Sequence, residues 1–91
     1  MQLEVLTPDQ ELFNGEIESI VLPGIDGYFG ILNNHAPIIA ALGKGVVTLN
    51  GGKNATGSLV DKKKGIPETF EFDIKGGTVE MNNNKVIVLA D

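Results

Sequence analysis

Hydrophobic residues recur along this chain with a period of two, and no window of eleven or more residues carries a persuasive helical period. That restricts it to an all-β fold, because a segment apolar at alternate residues buries one face as a strand and none as a helix. Leu3, Val5 and Thr7 alternate with Gln2 and Glu4, and Pro8 ends the segment by removing a donor. Glu11-Leu12-Phe13 and Glu16–Leu22 are further extended segments, with Asn14-Gly15 between them as a hairpin turn or a bulge. Ile17, Ser19 and Val21 share one face, until Ile20 and Leu22 make both sides apolar. Gly43 and Gly45 bracket Lys44 ahead of the β-branched run Val46–Leu49. Phe70, Phe72 and Ile74 are expected to point inward, with Glu71 and Asp73 outward. Gly76-Gly77 permits a sharp kink before Thr78–Met81, and Asn82-Asn83-Asn84 joins that strand to Lys85–Leu89 through a left-handed turn. Val86–Leu89 is apolar in both phases and is expected to be a central strand. Pro37–Leu42 fits one helical turn, the only helix expected. Short strands with closely spaced turn signals predict a flattened β-sandwich or barrel of short antiparallel strands.

The 91 residues suffice for one domain, taken as residues 1–91. Asn50–Pro67 is polar and glycine-rich apart from Ser58-Leu59-Val60, and reads as a long mobile loop or hairpin. Its Lys62-Lys63-Lys64 run reads as a solvated charge cluster. The net charge of −5 argues against a nucleic-acid binder and against attraction to an anionic membrane surface. There is no cysteine, so no disulfide framework or thiolate metal site is available. Met1–Pro8 lacks the basic start and apolar run of a signal peptide, and no segment has the length of a membrane span. A cytosolic protein, or one held at a membrane through a partner, is expected.

Catalytic chemistry finds few residues to use. His35 is the single histidine, and Asn34, Ala36 and Pro37 beside it supply neither nucleophile nor carboxylate. One histidine without cysteine does not make a zinc site. Gly24, Gly27 and Gly30 resemble a phosphate loop only loosely, because they feed a strand rather than a helix N-terminus. The carboxylate pairs Glu16/Glu18 and Glu71/Asp73 have the spacing of a solvent-facing strand edge. The chain is therefore expected not to be an enzyme by itself and to carry no cofactor. Leu22–Leu42 instead carries two turns, at Asp26-Gly27 and at Asn33–Pro37, with glycines and prolines fixing the path and His35 at an apex. Tyr28, Phe29 and Ile31 lie between the turns. Either they mark a docking contact, or Phe29 and Ile31 are core and only Tyr28 is exposed.

On these residues the chain resembles a known family. The core G-I-L-x-x-H-A-P at Gly30–Pro37, L-F-x-G at Leu12–Gly15 and V-x-V-L-A-D at Val86–Asp91 are similar to the N-terminal domain of the epsilon subunit of rotary ATP synthases. The likeness runs through Leu3–Val47 and Lys75–Asp91. It implies a non-catalytic rotor subunit of the central stalk, binding the gamma subunit and the polar loops of the membrane c-ring and so coupling ion flow to ATP synthesis. It implies a monomer within that complex, on the cytoplasmic side of a membrane such as the bacterial inner membrane, without inserting into it. By the same resemblance Asp26, Tyr28, Asn33, Asn34, His35 and Pro37 lie at the ring-and-gamma interface, and Thr7 and Ala40 lie near gamma. Tyr28 stands where the family often has an acid or another polar residue, and Asn33-Asn34 replaces a common Pro-Gly. The sequence ends at Asp91, where many relatives continue into a helical hairpin that can inhibit hydrolysis and sometimes binds ATP; neither property is expected of these residues. The alternative is a free-standing ligand-binding β-module, which would usually show tryptophan or several tyrosines, whereas this chain has no Trp and one Tyr.

Overall fold

Each alternating segment becomes a strand, and the strands form one curled sheet that closes over its own apolar side chains. The computed structural model describes residues 1–62 and 69–91. In chain order the elements are β1 (Gln2–Leu6), β2 (Glu11–Glu16), β3 (Ser19–Gly24), β4 (Gly27–Leu32), β5 (Ile38–Leu42), β6 (Gly45–Asn50), β7 (Lys53–Thr56), α1 (Ser58–Lys62), β8 (Thr69–Ile74), β9 (Gly77–Asn82) and β10 (Lys85–Ala90). The sheet order is β7-β2-β1-β10-β9-β5-β3-β6-β8, with β4 paired to β3. The path folds into two layers. One is β7-β2-β1-β10-β9-β5; the other is β4-β3-β6-β8. They join where Gly24 of β3 meets Leu42 of β5. Phe13 on β2 and Phe70 on β8 come from near opposite ends of that path, yet their rings meet edge-to-face at 5.6 Å. That contact closes the sandwich.

The core follows the period-two pattern. Leu3, Val5, Phe13, Val79, Met81, Val86 and Val88 are buried on the first layer, and Ile20, Leu22, Ile31, Val47, Leu49 and Phe70 on the second. No polar or charged side chain among the described residues is buried. The all-β fold and the central place of β10, between β1 and β9, agree with the sequence reading. The Asn83 and Asn84 backbones are left-handed, at φ 50° and 59°, as the β9–β10 turn requires.

Several expectations are corrected. The β1·β10 pair is parallel, so the sheet is mixed rather than wholly antiparallel. Pro37–Leu42 holds no helical turn; Ile38, Ala40 and Leu42 point inward while Ile39 and Ala41 point outward, and β5 pairs with β9 along its length. Pairing with β9 outweighs the weak helical signal of Pro37. A helix occurs instead at α1, inside the stretch expected to be a loop. β7 also lies in that stretch and pairs with β2, so Asn50–Pro67 is in part regular. The Lys62-Lys63-Lys64 side chains lie outside the described residues. Of the two readings of Asn14-Gly15, a hairpin turn or a bulge, the structure keeps the irregularity within a strand: β2 runs through it. Gly15 is required there because a Cβ would come within 2.9 Å of Ala55 and the Lys53 carbonyl on β7, and the β2·β7 register shifts between Asn14 and Glu16. Ile17 and Ile20 are both buried, three residues apart, because the chain passes from one layer to the other at residues 17–18. That crossing inverts the expected phase and leaves Val21 outside.

Candidate functional site

The two turns of Leu22–Leu42 sit at opposite ends of β4. Gly24-Ile25-Asp26-Gly27 closes the β3–β4 hairpin, with Gly27 at φ 128°. Asn33–Pro37 connects β4 to β5 at the other end. A six-residue strand separates them by roughly 20 Å. The structure therefore does not bring the six expected interface residues together: Asp26 and Tyr28 lie at one end, and Asn33, Asn34, His35 and Pro37 at the other. Thr7 lies beyond the end of β1, whose last residue Leu6 pairs with Leu89, so it sits at the Asp26 end. Ala40 is half-buried in the middle of β5, opposite Val79.

At the His35 end, hydrogen bonds fix the turn from outside it. The Met1 ammonium donates to Asn33 Oδ1 and to the Ile17 carbonyl. The Asn34 N–H donates to Asn84 Oδ1 at 2.8 Å, and Asn34 is left-handed at φ 62°. The His35 N–H donates to the Leu32 carbonyl, and His35 Nδ1 lies 2.7 Å from the carbonyl of Ala36. The imidazole is thus held by local backbone and exposed, with neither a carboxylate nor a nucleophile among the described residues bonded to it. No cluster of three metal-ligating side chains exists among the described residues.

At the Asp26 end, Ile25 and Tyr28 are exposed, at 68% and 60%, beside the Asp26 carboxylate. Ile31 is fully buried and Phe29 half-buried against the core. Of the two readings of this aromatic run, the one that exposes only Tyr28 holds for the aromatics. An open recess of about 430 Å³ lies between this turn and β5, lined by Phe29, Ile38 and Ile39 among others.

Sequence reasoning missed one exposed feature, the outer face of the β1-β10-β9-β5 layer. Cross-strand register sets Leu6, Leu89, Thr78 and Ala41 in one row, and Glu4, Ile87, Glu80 and Ile39 in the next. Ile39 is 81% exposed and Leu89 50% exposed. Thr7 adjoins this face in a shallow recess that it shares with Leu6, Thr78 and Leu89. The signal was present in the double-phase apolar run Val86–Leu89 and in Ile38-Ile39. Each was read as core or as helix, because a run apolar in both phases ordinarily means burial on both faces. Here the outer face carries no second layer, and an exposed apolar patch on one side of a small domain marks an interaction surface.

A family model described as ATP synthase, Delta/Epsilon chain, beta-sandwich domain matches residues 1–91. The ATP synthase epsilon chain of Chlorobium limicola is 39% identical over 90 residues, which are 99% of this chain and 88% of that one. The ATP synthase epsilon chain of Leptospira borgpetersenii is 37% identical over 91 residues, covering 100% of this chain and 61% of its own length. The chain thus spans less than two thirds of the Leptospira relative. Among solved structures, a chain of the Tetrahymena thermophila mitochondrial ATP synthase central stalk and c-ring superposes with a TM-score of 0.73 over 99% of this chain and 62% of that one, at 18% identity. At that identity the likeness is one of fold.

Proposed function

This chain belongs to the family of ATP synthase delta/epsilon β-sandwich domains, and from that premise we propose that it is a non-catalytic rotor element bracing the gamma subunit on the c-ring. The observation that carries the proposal is the uncovered apolar face formed by Leu6, Ile39, Ala41, Ile87 and Leu89. Thr7 adjoins that face, whereas Ala40 points inward from β5. Glu4 and Glu80 sit among its aliphatic side chains; a mixed surface of this kind suits a specific protein contact, and a stable one needs about 800 Å² from each partner. We assign gamma to this face. The polar, narrow turn at Asp26 and Tyr28, with Lys44 exposed nearby, suits the polar loops of the ring. Asn33, Asn34, His35 and Pro37, about one strand length away, meet gamma rather than the same ring loops. The domain acts as one copy per rotor, on the cytoplasmic side of the membrane. No helix among the described residues is long and apolar enough to cross a membrane, and attachment through these two partners requires none.

The proposed role asks no catalysis of the chain. The recess beside Glu18, Asn50, Lys53 and Thr69 is open and contains no aromatic platform. The free-standing ligand-binding module is correspondingly disfavoured. A tagged form of the chain, expressed in its own host and captured from detergent-solubilised membranes, is expected to co-purify with gamma and the c-ring in near-stoichiometric amounts. Capture of the soluble chain alone, with neither subunit enriched over an untagged control, would remove the proposal.

A further inference from the structure

Strand β3 changes neighbours along its length. It pairs with β6 at Ser19↔Asn50, Ile20↔Leu49 and Val21↔Thr48, and then with β5 at Gly24↔Leu42. Continued by two residues, the β6 register would set Pro23 opposite Val46. Pro23 has no N–H to give, and its carbonyl is taken by the Gly43 N–H at 2.8 Å. The Val46 N–H is therefore left without its ladder partner, at the point where the sheet forks. Tyr28 fills the vacancy. It is the β4 residue opposite Pro23, and its phenolic oxygen accepts from the Val46 N–H at 3.0 Å. Gly45 makes room for this contact: a Cβ there would stand 2.5 Å from the Tyr28 hydroxyl and 2.6 Å from Pro23 Cβ. One exposed side chain thus ties β4, which among the described residues pairs only with β3, to β6 across the fork.

We propose that Tyr28 is a positioning residue, whose hydroxyl bond to Val46 N–H holds the Ile25–Asp26 turn at the angle from which it meets the rotor. The proposal deepens the functional reading and rests on it for the identity of the partner. It also changes the expected part of Tyr28 from contact to support. Few constraints of other kinds act on this turn. Ile25 N–H donates to the Ala41 carbonyl at 3.3 Å, and the side chains of Ile25 and Asp26 are exposed. Without the Tyr28 bond, the hairpin end keeps the Gly43 N–H bond to the Pro23 carbonyl and the Ile25 N–H bond to Ala41, and loses its one tie to β6 at Val46.

Three variants separate the possibilities. Tyr28→Phe keeps the ring and removes the bond. Gly45→Ala drives the ring away. Asp26→Ala alters the turn's surface and leaves the bond intact. Amide hydrogen exchange followed by NMR is read beside affinity for a purified gamma–c-ring subcomplex. In Tyr28→Phe, exchange at Val46 and Ile25–Gly27 should rise about three- to tenfold, the range of one lost hydrogen bond, while Val79 and Val88 keep their protection. Affinity should fall in Tyr28→Phe and in Asp26→Ala. Should Gly45→Ala fail to fold, Tyr28→Phe decides alone. Unchanged exchange at Val46 and the turn in Tyr28→Phe overturns the proposal. So does raised exchange with wild-type affinity, provided Asp26→Ala binds weakly. If Asp26→Ala also binds as wild type while exchange rises in Tyr28→Phe, the assignment of the turn to the rotor fails instead, and with it the positioning role toward that partner.

Discussion

Phe70→Ala is expected to remove about 3–5 kcal/mol of folding stability, among the largest losses available to a single side chain in this domain. Phe70 is 1% exposed and Phe13 is fully buried. Their rings meet at 5.6 Å with an interplanar angle of 67°, in an edge-to-face arrangement. Truncation therefore costs the transfer energy of a ring, the cavity that remains, and about 0.5–1.5 kcal/mol of aromatic pairing. A domain of this size has a total stability of roughly 5–15 kcal/mol, so the variant should unfold at far lower denaturant concentration or be partly unfolded at 37 °C. Urea titration measures it. Phe13→Ala should be nearly as damaging, and the double variant should cost less than the sum, because each single change already removes the pair. A loss below 1 kcal/mol for Phe70→Ala would show that the two layers close through other contacts.

The second large effect concerns binding and leaves the fold intact. Ile39→Lys and Leu89→Lys each place a hydrated ammonium on the uncovered face of the first layer. At Ile39 the new cation lies opposite Glu80, so the β5–β9 pair loses little. Exposed substitutions of this kind ordinarily stay within about 0.5 kcal/mol in stability. If Ile39 and Leu89 anchor gamma, each change should cost about 2 kcal/mol or more in binding, a fall in affinity of roughly 30-fold. The matched control is Glu71→Lys, which alters an exposed position on the other layer. It should leave gamma binding within about twofold of wild type, the scale of a peripheral charge. Equal losses from all three variants would point to general disruption rather than to a contact surface.

The contrast between these positions shows what the sequence carried and what it did not. Alternation marked the inward residues of β1, β8 and β10, because a pleated strand sends neighbours to opposite faces whatever its partners are. The asparagines of the β9–β10 turn were legible for the same reason, since left-handed backbone is a local preference. Ile39 and Leu89 were hidden because local pattern reports hydrophobicity and not which face receives a covering layer. β5 was hidden because its strand state comes from pairing with β9, some 40 residues away in the chain. Asn14-Gly15 stayed open between a turn and a bulge because glycine signals both tight turns and close backbone approach, and the approach of β7 is a tertiary fact. Tyr28 was visible as an unusual residue beside a turn. Its bond to Val46 follows from the fork of β3 at Pro23, which no spacing within Leu22–Leu42 discloses.

The claim that this domain serves the rotor through its uncovered layer is tested most directly by site-specific photocrosslinking in the assembled complex. A benzophenone amino acid replaces Ile39 in one form of the chain and Glu71 in another, and each is incorporated into epsilon-depleted ATP synthase before irradiation. The account predicts a product of this chain with gamma from position 39 and none from position 71. A gamma product from position 71 with none from position 39 would put gamma on the opposite layer and contradict it.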